Sequence, residues 1–90
     1  MDSVHLIVSG DVQGVGFRAW VFRYAQDKSI TGWVKNRDDG AVEVVAEGEY
    51  ARLEGLIKRC QHGPALASVA KVDVTWQKAV GGLVGFEVVD

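Results

Sequence analysis

Three glycines within seven residues, closed by an arginine, mark the stretch of this chain best suited to hold a charged ligand: Gly10-Asp11-Val12-Gln13-Gly14-Val15-Gly16-Phe17-Arg18. Glycine adopts positive φ and lets bare backbone approach a ligand. Successive N–H groups in such a turn converge into an anion-binding concavity. The loop is followed by a helical pattern, whose first N–H groups lack internal partners and sit at the positive end of the helix dipole. A cation there, Arg18, is on the unfavourable end by roughly 0.3–1 kcal/mol. A bound phosphate reverses that sign, and a planar guanidinium grips two phosphate oxygens at once. The plainer alternative is a tight glycine turn beside a solvated arginine. Asn36, before the turn Asp38-Asp39-Gly40, is the second residue of interest. Its amide can orient a water molecule but cannot act as a base, and asparagine is also frequent before hairpins for purely local reasons.

These residues have to be positioned by the elements around them. Val4, Leu6 and Val8 alternate with His5, Ile7 and Ser9, which predicts a first strand. A single strand histidine with no second histidine or cysteine nearby reads as structural. A helix is expected from about Phe17 to Lys28, because Phe17, Trp20, Val21, Tyr24 and Ala25 form a core-facing stripe. Gly32 to Arg37 reads as a second strand, and Ala41 to Glu47 as its return partner across the Asp-Gly turn. In that return strand Val42, Val44 and Ala46 point inward, with Glu43 and Glu47 on the solvated face. Tyr50 to His62 is a second helix buried along Leu53, Leu56, Ile57 and Cys60, stopped by Gly63 and Pro64. Gly55 inside it suggests close packing, since glycine there costs about 1 kcal/mol. Val69 to Gln77 is a further strand, residues 78–83 are a flexible turn, and Phe86 to Val88 is a short last strand.

The order βαββαβ plus a C-terminal strand predicts an α+β, ferredoxin-like sandwich. It has an antiparallel sheet of order 4-1-3-2, two helices on one face and a short fifth strand. Strands one and two are then parallel, so the glycine loop and Asn36 reach the same rim. One strand separates them, an offset of roughly two spacings of ~4.8 Å. A phosphate over the loop and a water held by Asn36 can meet there.

Composition narrows the function classes. Hydrophobic residues make up 48% of 90 residues, enough for one globular domain spanning residues 1–90 and against disorder. The net charge of −2 argues against a dedicated nucleic-acid binder, which normally carries a basic excess. The single cysteine, Cys60, excludes an internal disulfide and a cysteine-rich metal site, and with them a metallochaperone. No apolar run approaches the ~18 residues that span a bilayer, and the first residues lack the basic flank and apolar core of a signal peptide. The expectation is a cytoplasmic, monomeric protein that binds neither membrane nor nucleic acid.

At this point two motifs in register carry a resemblance. Val8 to Arg18 resembles the first signature of the acylphosphatase family, and Gly32-Trp33-Val34-Lys35-Asn36, followed by Gly40, Val42 and Gly48, resembles the second. The resemblance covers nearly the whole chain. It implies a hydrolase that cleaves the carboxyl–phosphate bond of acyl phosphates to a carboxylate and inorganic phosphate, with no cofactor and no metal. It further implies that Arg18 and the loop amides of Gln13, Gly14, Val15, Gly16 and Phe17 bind the phosphoryl group, while Asn36 positions the attacking water. Inorganic phosphate or sulfate is the expected product-like ligand. Two features depart from the family pattern: Arg37 stands where threonine is common, and Val88-Val89-Asp90 replaces a basic-then-aromatic end. The same signature occurs in the acylphosphatase-like domain of hydrogenase maturation proteins, which makes a carbamoyl-phosphate-binding domain the nearest rival.

Overall fold

The computed structural model describes residues 1–79 and 81–90. Strand β1 (Asp2–Asp11) leads into helix α1 (Phe17–Asp27), then β2 (Thr31–Asn36), β3 (Val42–Gly48), α2 (Tyr50–His62), β4 (Ser68–Lys78) and β5 (Phe86–Val89). The strands form one sheet of order β4-β1-β3-β2-β5. The four-strand order expected from sequence is present, extended by β5 at the β2 edge.

The sheet is not wholly antiparallel as expected. β5 runs parallel to β2, with Gly32 opposite Phe86 and Val34 opposite Val88, so the sheet is mixed. The cause is the path of the chain. β4 ends with Lys78 opposite Asp2, at the rim where β1 begins. The chain then passes to the far edge and rises again beside β2. Of the flexible turn expected at 78–83, Val80 lies outside the described residues.

Alternation in the central strands builds the core. Val4, Leu6 and Val8 of β1 and Val42, Val44 and Ala46 of β3 have no solvent exposure, and they meet Phe17, Val21 and Ala25 of α1 and Leu53, Leu56 and Cys60 of α2. Burial of a Val, Leu or Phe side chain stabilises by about 1.5–3 kcal/mol, so this layer fixes which face each strand presents. The two helices are joined reciprocally. Trp20 Nε1 donates to the Arg59 carbonyl at 2.9 Å and Arg59 Nε donates to the Trp20 carbonyl at 3.3 Å. The Arg59 guanidinium lies 3.6 Å from the centre of the Trp20 ring. Trp20 and Tyr24, placed on the core stripe from sequence, are therefore partly exposed residues of the helix–helix seam.

One polar expectation is corrected. Glu47 is buried, at 5% exposure, and does not lie on a solvated face. It sits in a central strand directly between Ser3 of β1 and Thr31 of β2, whose side chains flank it on the same face of the sheet. His5 behaves as a structural residue, its Nε2 lying 2.6 Å from the Glu43 carboxylate. Among the described residues no helix is long and apolar enough to cross a membrane.

Candidate active site

Gly14 and Gly16 turn the chain between β1 and α1 with φ of 74° and 80°. Both values lie in the left-handed region that residues with a side chain rarely enter. An added Cβ at either position would meet nothing within 4 Å, so it is backbone shape that calls for glycine here. Gly16 is the N-cap of α1 and contributes no side-chain cap. Among the described residues, no loop hydrogen bond uses the N–H groups of residues 13–17 as donors to backbone carbonyls. Those donors remain available at a helix N-terminus, the arrangement that suits a bound anion. Beneath them Val12 and Phe17 are buried and hold the loop to the core.

Arg18 rises from the first turn of α1. Its Nη1 donates to the Val89 carbonyl at 3.2 Å and to the Asp90 carboxylate at 3.3 Å. The end of β5 thus steers the guanidinium, a consequence of the parallel pairing that carries β5 to this rim. Asn36 is the last residue of β2 and pairs with Val42, which in turn pairs with Val8 of β1. No protein group bonds the Asn36 side chain among the described residues, so the purely local role as a hairpin-bonding residue finds no support. Gly14, Gly16, Phe17, Arg18 and Asn36 all line one cleft of about 290 Å³. A second hollow of about 400 Å³ lies on the other side of Asn36, bounded by Lys35, Arg37, Asp38, Asp39, Glu43 and Asp90.

Gln13 departs from the simplest reading of the loop. Its side-chain amide turns away from the cleft and donates to the Arg37 carbonyl at 2.7 Å and the Ala41 carbonyl at 2.9 Å, leaving only its main-chain N–H to serve a ligand. Val15 packs against the core. Arg37 pairs with Asp39 and Glu43. The Asp39 carboxyl is held below its ordinary value, first by the Ala41 N–H that it accepts and also by Arg37. Among the described residues no three His, Cys, Asp or Glu side chains cluster as a metal site.

Sequence reasoning missed part of the cleft wall. Phe22, Ala19 and Val88 complete it, giving an apolar end opposite the polar loop. Phe22 carried a signal, because it lies four residues after Arg18 and so on the same helix face. Val88 and the Val89 carbonyl carried none, since the partner of β5 was not evident.

The Acylphosphatase family model matches residues 4–88. An acylphosphatase of Roseiflexus sp. is 43% identical over 89 residues, covering 99% of this chain and 96% of its own. The crystal structure of acylphosphatase from Bacillus subtilis superposes with a TM-score of 0.96 at 39% identity, covering all of both chains. Full-length HypF, in its phosphate- and nucleotide-bound form, matches with a TM-score of 0.87 at 28% identity, but this chain spans only 12% of it.

Proposed function

Because this chain belongs to the acylphosphatase family, enzymes that hydrolyse acyl phosphates, we propose that Arg18 and the amides of residues 13–17 hold the phosphoryl group while Asn36 orients the attacking water. The observation that carries this reading is the shared cleft, where a glycine loop, a helix N-terminus, Arg18 and Asn36 line one hollow at one rim of the sheet.

The chemistry asks for little more. The leaving group is a carboxylate, which departs without protonation. Phosphoryl transfer is mainly positioning and charge stabilisation, and preorganised N–H donors aimed at the equatorial oxygens supply the second. The Asn36 amide supplies the first, holding water in line with the breaking P–O bond. The water attacks phosphorus, its proton passes to a phosphoryl oxygen, and the bond between phosphorus and the bridging acyl oxygen breaks with its electron pair left on the carboxylate. Arg18 provides the positive charge, so the reaction needs no metal and no cofactor. Inorganic phosphate occupies the cradle as product, and sulfate mimics it.

The test is hydrolysis of benzoyl phosphate with inorganic phosphate as competitor, in excess chelator. Arg18→Ala loses both turnover and phosphate affinity. Asn36→Ala loses turnover and largely keeps phosphate affinity. Full turnover in Asn36→Ala removes the water-orienting role, and loss of wild-type activity in chelator overturns metal independence. Carbamoyl phosphate, raised by the resemblance to the acylphosphatase-like domain of hydrogenase maturation proteins, is included as a second substrate, and turnover of benzoyl phosphate distinguishes a general hydrolase from a dedicated carbamoyl-phosphate domain.

A further inference from the structure

Gln13 sits inside the phosphate loop, yet its side chain faces the neighbouring hairpin. An uncharged amide has two N–H donors, and both are engaged, at 2.7 Å on the Arg37 carbonyl and 2.9 Å on the Ala41 carbonyl. These two carbonyls flank the β2–β3 turn, which the Arg37 N–H closes by donating to the Ala41 carbonyl at 2.8 Å. Arg37 directly follows Asn36. Among the described residues, this is the one side-chain hydrogen-bond link between residues 12–16 and the hairpin. The loop otherwise rests on the core through Val12 and Val15 and is joined to β1 and α1 at its ends, none of which touches the β2–β3 turn that follows Asn36.

We propose that Gln13 is a positioning residue whose side-chain amide sets the separation between the phosphoryl group in the loop and the water held by Asn36. The inference rests on the roles assigned above to the loop and to Asn36. The loop amides and Arg18 bind phosphate whether or not the hairpin is tethered. In-line attack depends on the relative placement of the two parts, and a displacement near 1 Å reduces turnover by as much as ~100-fold. Gln13 therefore acts on kcat, through Asn36, and little on phosphate affinity.

The experiment is a double-mutant cycle on kcat for benzoyl phosphate, with inhibition by inorganic phosphate measured in parallel. Gln13→Met keeps length and removes both donors. Gln13→Asn keeps an amide but is one methylene too short to hold both carbonyls, and it serves if the first variant folds poorly. The expected result is a fall in kcat of roughly 10- to 100-fold, with the phosphate inhibition constant within about threefold of wild type. In an Asn36→Ala background the same substitution lowers kcat by less than about threefold, because coupled residues are non-additive. An unchanged kcat, an equal loss in both backgrounds, or a phosphate constant that worsens as much as kcat overturns the proposal. Full turnover in Asn36→Ala alone is a separate result, since it removes the underlying role of Asn36.

Discussion

Replacing Arg18 by lysine tests the geometry of the site separately from its charge. A guanidinium carries five N–H donors in a planar fork. Nη1 accounts for two of them, directed at the Val89 carbonyl (3.2 Å) and the Asp90 carboxylate (3.3 Å). The Nε–H and Nη2–H edge remains, and under the proposed function it is the edge with two parallel donors for two phosphoryl oxygens. Lysine keeps the charge, loses that edge and loses the anchor on β5. Each hydrogen bond to a charged group is worth about 1.5–3 kcal/mol. Loss of one such bond weakens phosphate binding by roughly 10- to 150-fold, at 1.4 kcal/mol per factor of ten. Arg18→Ala removes both bonds and the charge, and falls further. The assay is competitive inhibition of benzoyl phosphate hydrolysis by inorganic phosphate, with thermal melting to show that each variant folds. A phosphate constant for Arg18→Lys within about threefold of wild type, or equal constants for the lysine and alanine variants, would refute bidentate capture.

Two further outcomes concern the body of the fold. Burial pushes the Cys60 thiol from 9.0 up to about 12. The stability that follows is complete below pH 9 and is lost as pH rises toward 12, because the unfolded chain releases the proton first. Denaturant melts at pH 8 and pH 10.5 should show a larger loss in wild type than in Cys60→Ala, and equal losses would contradict it. In Gly55→Ala the added methyl meets the Tyr24 hydroxyl, with the ring carbon Cζ 3.1 Å away. Overpacking costs about 1–3 kcal/mol against a helix gain of about 1 kcal/mol, a net loss of zero to about 2 kcal/mol. In a Tyr24→Phe background the loss shrinks, because only the 3.1 Å ring-carbon contact remains; a loss as large as in wild type would show that the hydroxyl clash is not the cause.

The glycine loop, Arg18 and the element order were legible because each has a local cause. Positive φ selects glycine at 14 and 16, helical spacing groups Phe17, Val21 and Ala25, and the Asp-Gly turn fixes the β2–β3 pairing. Asn36 became legible once strands one and two were known to be parallel. What stayed hidden was settled by non-local partners. Nothing within Phe86 to Val89 states that it lies parallel to β2, and so nothing announced that Val89 would hold Arg18. Alternation placed Glu47 outside, and it is on that outer face, but its cross-strand neighbours Ser3 and Thr31 flank it there and leave it buried. The two engaged donors of Gln13 were equally invisible, although a long amide amid glycines is a signal that a side chain is needed there.

A single residue, Val42, stands between Val8 and Asn36 and is bonded in the ladder to both. The strands that carry the loop and Asn36 thus stand about two strand widths of ~4.8 Å apart, a coarse interval that peptide chemistry dictates and that leaves the fine adjustment to side chains such as Gln13. Surface residues can turn over generation after generation while that ruler keeps its marks. The coarse spacing of the two halves of the rim is consequently inherited from the backbone itself.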